Sequence, residues 1–135
     1  MFLLGQRAAR AMVEQGDGGA IVNMSSSNGH AGEPLLTAYN VSKAGVILLT
    51  KTMAVELAPY NIRVNCVSPG FIRTEIVQEA GADEEYIQGY LEKIPLGRYG
   101  APREVANVFA FLASDEASFV TGESVLIDGG ELAKQ

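Results

Sequence analysis

Tyr39 and Lys43 stand four residues apart in the stretch Tyr39-Asn40-Val41-Ser42-Lys43-Ala44-Gly45, and Ser26 lies thirteen residues before the tyrosine. Side chains at i and i+4 project from one face of a helix, which makes the phenol and the ammonium neighbours. A phenol ordinarily ionises near pH 10, and an ammonium close by favours the phenolate form. Such a tyrosine can give a proton to an oxygen, or take one from it, near neutral pH while a serine hydroxyl holds that oxygen. Together the three residue types suit acid–base chemistry on a carbonyl. A Tyr–Lys pair alone at this spacing is more often an ordinary solvated surface pair.

The elements that must position these residues follow from the apolar pattern. Ala20-Ile21-Val22-Asn23-Met24 begins a buried strand, read as 20–26, that delivers Ser25, Ser26 and Ser27 to its C-terminal edge. After a loop containing Gly29, Gly32 and Pro34, a long helix over 38–58 carries Tyr39 and Lys43 and stops before Pro59. The remaining pattern predicts helices over 2–15, about 83–93 and 102–113, with strands over 62–68 and 123–128. Strands alternating with helices of this length imply parallel crossovers and a layered α/β sheet. Gly16, Gly18 and Gly19 read as the stop of the first helix plus a turn, and Pro102 with Glu104 as a helix start. Asp83-Glu84-Glu85 reads as a helix opening, not a metal site, and Tyr86, Tyr90 and Leu91 fit one face of that helix.

Further motifs lie in order along the chain: Ile21-Val22-Asn23-Met24-Ser25-Ser26-Ser27-Asn28-Gly29, the Tyr39–Gly45 stretch, Arg63-Val64-Asn65-Cys66-Val67-Ser68-Pro69-Gly70-Phe71-Ile72-Arg73-Thr74, Val120-Thr121-Gly122 and Ile127-Asp128-Gly129-Gly130. In order and spacing the chain closely resembles the short-chain dehydrogenase/reductase family, essentially from end to end. The resemblance implies an α/β fold, a partial doubly wound Rossmann-like parallel sheet made of the last three strands and their flanking helices. It also implies that residues 1–135 form one truncated domain of that type.

By the same resemblance the chain is an NAD(P)-dependent oxidoreductase that interconverts a small alcohol and a ketone. Tyr39 would exchange the proton, Ser26 would orient the carbonyl, and Lys43 would lower the tyrosine's proton affinity and bond the nicotinamide ribose. Ser26 is preferred over Ser25 and Ser27 because it meets the family's Ser-x-x-Gly pattern with Gly29. Pro69 and Gly70 would end a strand at the ligand edge of the sheet. Ile72 and Thr74 would contact the carboxamide or phosphate of the cofactor, which is NAD or NADP. No metal is implied, and dimers or tetramers are.

Relatives in this family are usually nearly twice as long as these 135 residues. The Gly-rich strand-to-helix turn that receives the pyrophosphate, and an Asn preceding a helix like Phe2-Leu3-Leu4-Gly5-Gln6, have no counterpart in this sequence. The 135 residues alone are therefore expected to show no saturable nicotinamide binding. The strand over 20–26 is expected at an exposed sheet edge, an association hazard. The alternative reading is a catalytically inactive fragment that serves only as an association module.

Composition narrows the partners. A net charge of −6, from 10 Lys+Arg against 16 Asp+Glu, lacks the basic footprint that nucleic acid or an anionic membrane requires. Cys66, the single cysteine, reads as a buried strand thiol. No apolar run of about 20 residues is present, so a cytoplasmic location is the default expectation. A serine hydrolase is rejected, since no Gly-x-Ser-x-Gly elbow and no Ser-x-x-Lys pair occur and His30, the lone histidine, four residues past Ser26, has no obvious acidic partner in sequence. His30 reads as a bystander in the loop, and Asn65 as a hydrogen bonder at a sheet edge.

Overall fold

The computed structural model describes residues 1–74 and 84–134, with the backbone alone for residues 84–86. Helix α1 (Phe2–Gln15) leads into strand β1 (Gly19–Met24), and helix α2 (Thr37–Leu57) into strand β2 (Ile62–Pro69). Helices α3 (Glu84–Leu91) and α4 (Pro102–Ala113) then precede strand β3 (Ser124–Ile127). The sheet order is β1-β2-β3, and both pairings are parallel. Register runs from Gly19 opposite Ile62 to Met24 opposite Val67, and from Cys66 opposite Ser124 to Pro69 opposite Ile127. Parallel neighbours need long crossovers, which α2 and the α3–α4 segment supply.

The central strand explains its own composition. Ile62 and Val64 join Ala9, Met53 and Ala54 in a core cluster that ties α1 and α2 to one face of the sheet. Asn65 and Val67, in the opposite phase of the pleat, are equally buried, so β2 is covered on both faces. Helix α4 packs against β1 and β2, and its Leu112 is fully buried. Strand β1 pairs only with β2, which leaves its outer edge without a strand partner among the described residues, as expected. Cys66 is a buried free thiol, also as expected.

Punctuation residues act where the sequence places them. Gly16 adopts φ 77° and closes α1 by donating its N–H to the Met12 carbonyl. Pro59 sits in a 3-10 turn, Ala58–Tyr60, that follows α2. Two expectations need correction. Strand β1 ends at Met24, and Ser26 instead N-caps a 3-10 turn over Ser27–Gly29, its Oγ accepting from Asn28 N at 3.2 Å. A serine side chain that bonds the nearby backbone competes with the sheet ladder, which ends the strand early. Asn65 is not at a sheet edge but in the central strand, where its amide donates to Val120 O (2.7 Å) and accepts from Glu123 N (3.1 Å). Asp83, and the side chains of Glu84, Glu85 and Tyr86, lie outside the described residues.

Candidate active site

Three structural pieces converge at the C-terminal end of the sheet. The first is the turn after β1, which carries Ser25 and Ser26. Gly29 makes its position possible: a Cβ there would lie 2.6 Å from Ser25 Oγ and 3.0 Å from the Lys43 carbonyl carbon. Only a residue without a side chain lets the turn lie this close to α2, which gives the Ser-x-x-Gly spacing a steric cause. Ser25 Oγ donates to Lys43 O at 2.7 Å and ties the turn to the helix. Ser25 is thus a hydrogen bonder between the turn and the helix.

The second piece is the first turn and a half of α2. Lys43 Nζ lies 5.4 Å from the centroid of the Tyr39 ring, so the helical spacing does place ammonium and phenol side by side. Tyr39 is 44 % exposed, which leaves the phenol open to a ligand. The third piece is the chain leaving β2. Gly70 N donates to Ile127 O (3.0 Å), Ile72 forms a parallel bridge with Gly100, and Arg73 N donates to Gly100 O (2.9 Å). Those bonds fix the path from Pro69 to Thr74.

All seven residues singled out in the sequence meet at one cleft of about 510 Å³. Ser26, Tyr39 and Lys43 line one part of it, and Pro69, Gly70, Ile72 and Thr74 another. Its walls also carry apolar groups that sequence reasoning missed, among them Met24, Phe71 and Val105. A polar triad against an apolar wall, in a cleft of this size, is the usual make-up of a small-molecule site. The arrangement can hold a planar apolar ring beside hydroxyl-bearing groups, and it presents a phenol, a hydroxyl and an ammonium to whatever lies between.

His30 lies outside that cleft. Its Nε2 is 3.1 Å from both Ser68 Oγ and Ser124 Oγ, which are 2.8 Å apart. Desolvation first and Lys51 second hold its imidazole below the ordinary value, with Asp128 opposing. The imidazole thus knits β2 and β3 to the loop. A second, polar hollow of about 260 Å³ adjoins the Ser26 turn and is lined by Asn28, Glu33, Tyr90 and Glu131 among others. Burial, then Asp128 and Glu33, raise the Glu131 carboxyl above its ordinary value against the pull of Lys93.

Among the described residues no helix is long and apolar enough to cross a membrane. The family model described as Enoyl-(Acyl carrier protein) reductase matches residues 1–131. The 3-oxoacyl-[acyl-carrier-protein] reductase FabG of Thermotoga maritima is 51 % identical over 130 residues, covering 96 % of this chain and 52 % of that protein. A gluconate 5-dehydrogenase from Burkholderia cenocepacia, solved with NADP and tartrate, superposes with a TM-score of 0.92 at 32 % identity over 98 % of this chain and 51 % of that one. A 4-hydroxyisoleucine dehydrogenase complexed with NADH gives a TM-score of 0.94 at 38 % identity over 99 % and 55 %. The chain thus spans about half the length of the curated relatives it matches. With the sheet order, the Ser-x-x-Gly turn and the Tyr39–Lys43 pair on one cleft, these matches establish that the chain belongs to the short-chain dehydrogenase/reductase family.

Proposed function

We propose that the protein carrying this chain is a nicotinamide-dependent oxidoreductase that interconverts an alcohol and a ketone at the Ser26–Tyr39–Lys43 cleft. The observation that carries this reading is the convergence of those three side chains with the Pro69–Thr74 segment on one open cavity. The residues present fit the nicotinamide–ribose half of such a cofactor. Lys43 and Tyr39 offer polar groups for ribose hydroxyls, Ile72 and Val105 an apolar wall for a ring, and Thr74 a hydroxyl for a carboxamide or phosphate. NAD and NADP both satisfy that fit.

When bound, the nicotinamide supplies or accepts a hydride at the carbonyl carbon. In the reducing direction Tyr39 gives its hydroxyl proton to the carbonyl oxygen, and the phenolate formed is stabilised by the Lys43 ammonium. Ser26 donates a hydrogen bond to the same oxygen, so the developing negative charge meets a preorganised donor. In the oxidising direction Tyr39 takes the alcohol proton while hydride leaves the carbon. The ketone gains one hydride and one proton, and charge balances on the tyrosine.

Lys43→Ala tests the assignment. It should raise KM for the nicotinamide cofactor and lower kcat by on the order of 10²-fold in steady-state assays of the gene product. Both constants at parental values would contradict it.

A second reading is favoured by one specific observation. Val41, Leu48 and Val55 recur every seven residues along α2 and are 68 %, 66 % and 77 % exposed. An apolar stripe with that period suits a helix–helix seam between copies, so the chain also has the features of an association module.

A further inference from the structure

The turn that carries Ser26 is held by a side-chain network that the sequence does not reveal. Asn28 stands at its centre. Its Nδ2 donates to Glu33 Oε2 at 2.7 Å and to Asn40 Oδ1 at 3.2 Å. Its Oδ1 faces the hydroxyls of Ser27 at 3.4 Å and Ser26 at 3.5 Å. A carboxylate only accepts, so the amide has one orientation, nitrogen toward Glu33 and oxygen toward the serines. Asn40, the residue after Tyr39, donates in turn from Nδ2 to Glu33 O at 2.9 Å. One amide therefore links the Ser26 turn, the Glu33 loop and the first turn of the helix that presents Tyr39.

Glu33 extends the network toward α3. Tyr90 Oη lies 3.4 Å from both Glu33 oxygens, and its ring stacks on Phe71 with centroids 4.3 Å apart. Phe71 lines the cleft, whereas Asn28 and Glu33 line the adjoining polar hollow. Neither Asn28 nor Glu33 reaches the cavity in which a substrate would meet Tyr39. Whatever they contribute acts through Ser26 and Asn40.

We propose that Asn28 and Glu33 are positioning residues, a brace that sets the Ser26 hydroxyl relative to the Tyr39 phenol. Asn28 Oδ1, 3.5 Å from Ser26 Oγ, is the acceptor toward which the Ser26 hydrogen turns, while Asn28 N donates to Ser26 Oγ at 3.2 Å. A substrate oxygen then has only to take over that hydrogen, with Oγ already in place. Fixed donors of this kind contribute because they need no reorganisation as charge develops. The proposal rests on the reading of Ser26 and Tyr39 given above, and its test is arranged so that the two fail differently.

The experiment compares Asn28→Ala, Asn28→Asp, Glu33→Ala and Glu33→Gln in the gene product, with Ser26→Ala and Tyr39→Phe alongside. Asn28→Ala and Glu33→Ala should each lower kcat roughly ten- to a hundredfold, with the carbonyl-substrate KM little changed. Glu33→Gln retains an acceptor for Asn28 Nδ2 and should recover most of the loss. The double alanine variant should fall no lower than either single, because one brace is removed once. Asn28→Asp sets a second carboxylate against Glu33 and should be the worst at neutral pH, improving as the pair takes up a proton.

An independent readout needs no turnover. Solvent exchange of the Asn28 side-chain NH₂, followed by NMR, should speed up roughly tenfold or more in Glu33→Ala and little in Glu33→Gln. Parental kcat in both alanine variants, with Ser26→Ala and Tyr39→Phe inactive, would overturn the brace and leave the centre standing. Losses not rescued by Glu33→Gln, or uniform NH₂ exchange across the series, would likewise overturn it. Full activity in Ser26→Ala and Tyr39→Phe would overturn both.

Discussion

At the scale of single residues, the candidate centre was legible because its parts are tied by fixed spacings. A four-residue step on a helix puts Lys43 beside Tyr39, and the ring-to-ammonium distance of 5.4 Å follows from it. The Ser26–Gly29 step was legible as a pattern but acquired its cause only in three dimensions, where Gly29 faces Lys43 and Ile47 across a gap too small for a Cβ. A methyl group at that position must push the turn away from α2. Gly29→Ala is accordingly expected to destabilise the protein by about 1–3 kcal/mol and to lower turnover beyond the lost folded fraction. Urea unfolding together with kcat on the remaining folded protein checks this, and unchanged values for both would show that the contact yields freely. Asn28 and Glu33 were not legible, because an amide reaching five residues along a loop and twelve into a helix depends on the path of the loop.

At the scale of elements, boundaries were readable where a residue forces them. α1 and α4 begin and end as expected because Gly16 and Pro102 leave the backbone little choice. The end of β1 was not readable, since an apolar run does not reveal where serine side chains take over the backbone's hydrogen bonds. Nor was the C-terminal cap of α4, where the Arg63 guanidinium from β2 donates to Leu112 O and Ser114 O at 2.8 and 2.9 Å. Cations at a helix C-terminus satisfy its orphan carbonyls, but this one arrives from 49 residues away.

The start of α4 offers a pH test. Arg98 first, and Ala101 N second, hold the exposed Glu104 carboxyl down from 4.5 to about 2. A folded value below the unfolded one means that folding favours the ionised form. The stabilisation is fully present above about 4.5 and is lost as pH falls through about 2. Glu104→Gln should flatten the slope of stability against pH in that window, measured by urea unfolding at stepped pH. The contribution is small because the pair is solvated, and parallel slopes for parent and variant would contradict it.

At the scale of the whole molecule, alternation of strands and helices was enough to give a parallel three-stranded sheet with helices on both faces. Which strand stands at the edge followed only from the family resemblance, and the observed β1-β2-β3 order agrees with it. The open edge of β1 and the exposed Val41–Leu48–Val55 stripe of α2 are, among the described residues, two surfaces suited to association. If the stripe is a seam between copies, Leu48→Glu should reduce the mass measured by sedimentation equilibrium to that of a smaller species. A parent and variant of equal mass would remove the stripe from consideration. The sequence is silent on substrate, and the proteins it resembles carry the names of enzymes for quite different molecules, a 3-oxoacyl-[acyl-carrier-protein] reductase, a gluconate 5-dehydrogenase and a 4-hydroxyisoleucine dehydrogenase.

The most direct test of the account is the steady-state kcat of Tyr39→Phe in the gene product, with circular dichroism and thermal unfolding measured on the same sample. Only one hydroxyl is lost, so the fold should be retained while turnover with a nicotinamide cofactor falls by on the order of 10²–10⁴-fold. Near-parental turnover in a folded Tyr39→Phe protein would mean that the proton travels by some other group, and the centre described here would not be the one that reacts.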